Sequence, residues 1–100
     1  MNPDTEVAFH FIEDFHYYEG CRPAHLIRDN YLTTGVHSYY NNDNVTDQII
    51  GTITFISPEY YPNSLWIGKR IEMYVGSKMI GYAEVLKVFN KILEIKNPLV

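Results

Sequence analysis

Apolar and polar positions alternate most clearly between Lys69 and Phe89, KRIEMYVGSKMIGYAEVLKVF. Over Arg70–Val75 the pattern puts Ile71, Met73 and Val75 on one side and Arg70, Glu72 and Tyr74 on the other, the period of two of a half-buried strand. Gly76-Ser77-Lys78 predicts a tight turn, because glycine accepts the positive φ such turns use. Ile80–Phe89 then predicts a long returning strand.

The rest of the chain reads in the same alphabet. Met1–Thr5 is a polar lead-in. Glu6–Ile12 alternates, with Val7, Phe9 and Phe11 facing one way, and predicts the first strand. Glu13–Cys21 has no strict period and reads as a loop. Pro23 cannot donate to a sheet ladder, so Arg22-Pro23 marks the start of a second strand over Ala24–Leu32. Thr33-Thr34-Gly35 reads as a turn or bulge, Val36–Tyr40 as a short third strand, and Asn41–Asp47 as a polar turn. Gln48–Ser57, rich in Ile and Thr, predicts the fourth strand. Ser57–Ser64 carries two prolines and leaves the sheet. Leu65-Trp66-Ile67 is a short apolar return ended by Gly68. Asn90–Val100 is a tail that either extends the last strand or adds one.

No segment carries a sustained helical stripe. Six short strands in 100 residues predict one all-β domain with its core over about residues 6–89, closed or nearly closed into an antiparallel barrel, since closure removes exposed edges. An open sandwich is the alternative.

Composition narrows the function more than the fold. The formal net charge is −4, which disfavours a polyanion partner without excluding a local basic patch. Fifteen per cent of residues are aromatic, nine of them Tyr, a type suited to half-buried and interface positions. Cys21 is the sole cysteine, so no intramolecular disulfide can form, and a small buried residue in a reducing compartment is expected. The first residues lack the basic and apolar segments of a signal peptide, and no apolar run reaches membrane-helix length, so a cytoplasmic protein without membrane contact is expected.

Two places converge on a known family. Gly20-Cys21-Arg22-Pro23 matches a Gly-aromatic-Arg-Pro motif that opens a strand, with Cys21 in the aromatic place. Ile71–Val75, Gly76-Ser77-Lys78 and Gly81–Val88 match an apolar strand, a Gly-Gly-Arg turn and a Gly-Ala-Gly-Val-Val-x-x-Val strand. Thr52–Pro58 looks like a strand ending in His-Pro, with Ser57 for the His. On these residues the chain resembles, from about Glu6 to Phe89, the C-terminal β-barrel domain of translation elongation factor Tu and related factors. The resemblance implies a closed six-stranded antiparallel barrel that contacts protein partners or tRNA. It departs from the family in its turns, and no G-x-x-x-x-G-K-[ST] loop occurs, so nothing points to GTP hydrolysis.

The candidate chemistry is correspondingly modest. His10, His16, His25 and His37 have no metal-ligand spacing, the carboxylates Glu13, Asp14 and Glu19 share a polar loop, and the serines lie in no nucleophile elbow, so no catalytic residue, metal or cofactor is assigned. The adjacent tyrosines stand out. Tyr17 and Tyr18 in one predicted loop, and Tyr60, Tyr61 and Trp66 in another, are candidate partner-binding residues, because exposed aromatics anchor protein interfaces. A regulatory, inhibitory or immunity-type role fits such a module. The alternative is RNA binding at Arg22, Gly76, Ser77 and Lys78, where the resemblance implies a position near a tRNA backbone; a solvated hairpin turn is the plainer reading. A small enzyme with a pocket that only the fold assembles is a third.

Overall fold

The structure, a computed structural model, describes residues 2–40 and 48–95. The predicted turn at Asn41–Asp47 and the end of the tail lie outside these residues. Six strands form: β1 (Thr5–Phe11), β2 (Ala24–Arg28), β3 (Tyr31–Tyr39), β4 (Ile49–Phe55), β5 (Arg70–Val75) and β6 (Lys78–Val88). They close in the order β1-β4-β3-β2-β5-β6, with β6 returning to β1, and every neighbouring pair is antiparallel. The helical content of the described residues is one 3-10 turn, Pro58–Tyr60, and no helix is long and apolar enough to cross a membrane.

Alternation sets the interior. Val7 and Phe9 of β1, Ile53 and Phe55 of β4, Ile71 and Met73 of β5, and Ala83 and Val85 of β6 point inward and are buried. Register shifts at Glu6/Val7, Leu26/Arg28 and Met73/Tyr74 bend the strands, as closing so small a barrel requires. Gly81 sits at one such point with φ 145°, and a Cβ there would lie 2.1 Å from the His10 carbonyl oxygen, so β6 approaches β1 closely only because the residue is glycine.

Three local expectations are corrected. The segment Ala24–Leu32 is not one strand: Asp29-Asn30 turns it, with Asn30 at φ 61°, a conformation asparagine tolerates. Thr33-Thr34-Gly35 is not a turn but the middle of β3. Val75 does not share the inward side of Ile71 and Met73. It follows the register shift at Met73/Tyr74, at the hairpin tip, and is exposed.

The tail neither extends β6 nor adds a strand within the described residues. It turns at Asn90–Leu93, and Leu65 meets Glu94 in a parallel bridge. Ser64 and Leu65 N–H both donate to the Leu93 carbonyl at 2.8 Å. This drops Leu93, Leu65 and Tyr61, all fully buried, into one mouth of the barrel. Asp4 ties the same end together: its carboxylate accepts from Phe55 N–H (2.7 Å) and from the Asn90 side-chain amide (2.8 Å).

Candidate functional site

Strand direction sorts the loops into two ends. At one lie the β1–β2 loop and the β5–β6 turn; at the other lie the β2–β3 turn, the long β4–β5 loop and the tail. Tyr17 and Tyr18 therefore sit at the opposite end of the barrel from Tyr60 and Trp66, so the four cannot form one patch. Tyr61 leaves the set altogether. It is 1% exposed, takes a hydrogen bond from the Thr33 hydroxyl (3.0 Å) and donates to the Ile56 carbonyl. Its pKa is raised by burial. A side chain that plugs the mouth cannot also meet a partner.

Among the described residues, the end carrying the β4–β5 loop exposes the larger number of apolar side chains. Tyr60 is 72% exposed, Ile67 70% and Ile56 62%, with Trp66, Phe89 and Ile92 also exposed. The loop beneath them is held firmly. Asn63 N–H donates to the Ile92 carbonyl, Lys69 N–H to Trp66, and Gly68 N–H to Val85. These bonds fix the backbone from which Trp66 and Ile67 project.

At the other end Tyr17 works partly as a lid. It stacks on Phe11 (5.0 Å between centroids) and meets Tyr39 edge-on at 4.8 Å. Glu19 pins this loop by accepting from Tyr39 N–H at 2.9 Å, a bond that holds its carboxyl below the usual range, helped by Ser38. Tyr18 stays exposed over a shallow groove of about 470 Å3 that also includes Phe15, Arg22, Pro23 and Val75. Arg22 thus shares an end with Gly76, Ser77 and Lys78, all exposed.

The barrel interior holds what the chain pattern did not disclose. His25 of β2 and His37 of β3 are both completely buried and meet at 2.8 Å between their Nε2 atoms. His25 Nδ1 lies 3.2 Å from the Thr33 carbonyl, which can only accept, so Nδ1 carries the proton. Burial lowers the pKa of His25 to about 4, and burial with the neighbouring His25 lowers that of His37 to about 3, so both rings are neutral near pH 7. The remaining protons follow in order. His37 Nε2–H donates to the bare Nε2 of His25. His37 Nδ1 is then the acceptor that faces the Tyr39 hydroxyl at 2.8 Å and the Cys21 thiol at 3.6 Å, and Cys21 Sγ and the Tyr39 oxygen share a proton at 2.9 Å. Burial, then the bond to Cys21, pushes the Tyr39 phenol well above its ordinary range.

Every member of this chain has a partner, so a polar line crosses an apolar core without an orphaned group. Gly35 makes room for it: a Cβ there would come within 2.6 Å of an Ile53 methyl carbon and 3.0 Å of the His25 ring. The other two histidines stay outside. His10 stacks on Tyr82 at 4.6 Å, and His16 lies exposed in the β1–β2 loop. Among the described residues no three His, Cys, Asp or Glu side chains converge to hold a metal. Comparison with protein-family models, curated proteins and solved structures finds no match for this chain.

Proposed function

We propose that this barrel is a non-catalytic binding module of the cytoplasm that takes a protein partner on the end bearing Tyr60 and Trp66. The carrying observation is the set of strongly exposed apolar side chains, Tyr60, Ile67 and Ile56, on a loop whose base is buried and hydrogen-bonded. A preorganised apolar crest loses little conformational entropy on docking, and aromatic anchors of this type dominate binding energy. The test is capture from native lysate at low and high salt, comparing wild type with Y60S/I67S. A protein retained at both salts by wild type and lost by the double variant is the expected result. Equal retention by the variant refutes the reading.

A second reading rests on a separate observation, the placement of Arg22, Tyr18 and the Gly76-Ser77-Lys78 turn at the opposite end. It takes that end as an RNA-contacting surface, in keeping with the proposed kinship to the elongation factor Tu barrel. RNA captured at low salt, released at high salt and lost in K78Q would favour it over the protein reading, because phosphate contacts weaken steeply with ionic strength.

A further inference from the structure

β2 and β5 share the shortest ladder in the barrel, two residue pairs, Ala24 with Tyr74 and His25 with Met73; β1 and β6 share seven. Beyond His25 the two strands part, and Lys69 spans the gap. Its ammonium donates to the Ile27 and Ser64 carbonyls, each at 2.6 Å, in place of a strand partner. The opening is a cleft of about 580 Å3 on the barrel wall, walled by Leu26–Asp29, by Lys69, Arg70 and Glu72, and by the loop residues Asn63, Ser64 and Trp66. That volume lies in the ordinary range for small-molecule sites, roughly 300–1,000 Å3.

Cations outnumber acids along the cleft: Arg28, Lys69 and Arg70 against Asp29 and Glu72. Arg28, Lys69 and Arg70 are three of the eight Lys and Arg of a chain whose net charge is −4. Among the described residues none of the three lies within ion-pair distance of a carboxylate. Of the two acids at the cleft, Glu72 is occupied by the Tyr74 hydroxyl at 2.6 Å. Burial, and then the charge of Arg28, lower the Lys69 pKa to about 8, and the nearby Asp29 carboxylate offsets this only in part. Donors remain free for one. Arg28 uses two of its five N–H groups, on Ser64 Oγ and the Pro62 carbonyl, and Lys69 uses two of three. The Arg70 guanidinium stacks over Tyr82 at 5.0 Å, which leaves its edge available. At the rim, the Trp66 ring lies 4.7 Å from the Lys69 ammonium and remains 42% exposed, a platform for a second planar group.

We propose that this cleft binds a phosphate monoester carried on a planar ring, the chemistry of a nucleoside monophosphate. The phosphate lies among Arg28, Lys69 and Arg70, and the base lies against Trp66. A monoester brings close to two negative charges and three acceptor oxygens, which suits three cations better than a single carboxylate does. The same chemistry is available from a free mononucleotide or from the 5′-phosphorylated end of a single strand.

Trp66 is the only tryptophan, so its fluorescence reports this cleft alone. The probes are AMP, adenosine, inorganic phosphate, oligoadenylate with and without a 5′-phosphate, and an oligoglutamate peptide. The expected result is a saturable change with AMP at millimolar concentration or below, a weaker one with phosphate and none with adenosine. R70Q, an exposed position outside the interior, weakens AMP by about tenfold, the loss of one charge-assisted contact. Tighter binding of the 5′-phosphorylated oligomer than of AMP assigns a strand end, and the reverse assigns a free nucleotide; both support the proposal. No saturable change with AMP overturns it. So does equal binding of the oligomer lacking a terminal phosphate, or a response to oligoglutamate alone. Thermal melting checks that R70Q is folded; if it is not, 31P line broadening of AMP on the wild-type chain replaces it, and sharp unshifted lines overturn the proposal.

Discussion

Lowering the pH should destabilise this protein through its buried histidine pair before its carboxylates protonate. In the unfolded chain both imidazoles titrate near 6.5. In the barrel, burial holds His25 at about 4 and His37 at about 3. Between these limits the unfolded chain binds protons that the folded chain refuses, so stability is complete above pH 6.5 and falls as the pH drops. At pH 5 each unfolded imidazole has gained about 2 kcal/mol, which is 1.5 pH units at 1.36 kcal/mol each, and the pair costs the fold about 4 kcal/mol. That result barely depends on the folded values so long as both lie below 5. Set against a typical total of about 5–15 kcal/mol, the loss is large.

Urea unfolding at pH 7.5, 6.5, 5.5 and 5.0 reads it directly. The slope of unfolding free energy against pH should correspond to uptake of about two protons near pH 5.5. Long-range 1H–15N spectra of the imidazoles give an independent check. They should show His25 protonated on Nδ1 and His37 on Nε2, unchanged from pH 7.5 to 5. A flat stability profile over that range, or an imidazolium spectrum for either ring in the folded protein above pH 5, refutes both the proton order and the burial argument.

Three further outcomes follow from named contacts. Gly35→Ala should cost about 1–3 kcal/mol in urea melts, because its methyl overpacks Ile53 and displaces the His25 ring; the loss should be accompanied by a shift of the His25 ring resonances. Tyr61→Phe should cost about 1–3 kcal/mol by leaving the Thr33 hydroxyl and the Ile56 carbonyl short of a buried partner, and an unchanged melting temperature would contradict the assignment of Tyr61 to the interior. Asp4→Ala should cost about 1–3 kcal/mol and speed hydrogen exchange at the Phe55 amide, which loses its acceptor.

Much of the fold was legible because a two-residue period is a local property. The inward sets at Val7/Phe9 and Ile71/Met73 can be read from the chain without knowing what they face. The hairpin at Gly76 and the strand start at Pro23 follow from backbone chemistry carried by single residues. The misreading at Ala24–Tyr40 has a local cause too. Gly35 reads as a turn residue, yet it is glycine for a steric reason, the His25 ring and an Ile53 methyl above it. Taking Asp29-Asn30 as the turn would have put Thr33, Gly35, His37 and Tyr39 on one side of β3, beside His25 and Ile27 of β2. The signal for the buried histidines was present, but it depended on a register that a one-residue choice inverts.

By itself the sequence determined that this chain forms alternating strands, how many, and the inward side of β1 and most of β5, because sterics and amphipathic spacing act between near neighbours. Only the tertiary structure decided that Tyr61 is a plug while Tyr60 is exposed, that His25 and His37 share a proton order, and that Arg28 comes beside Lys69 and Arg70. Those outcomes depend on which strands become neighbours around the ring and on where the β2–β5 ladder stops. Residues forty positions apart along the chain meet only when the barrel has closed, and no local pattern encodes that meeting.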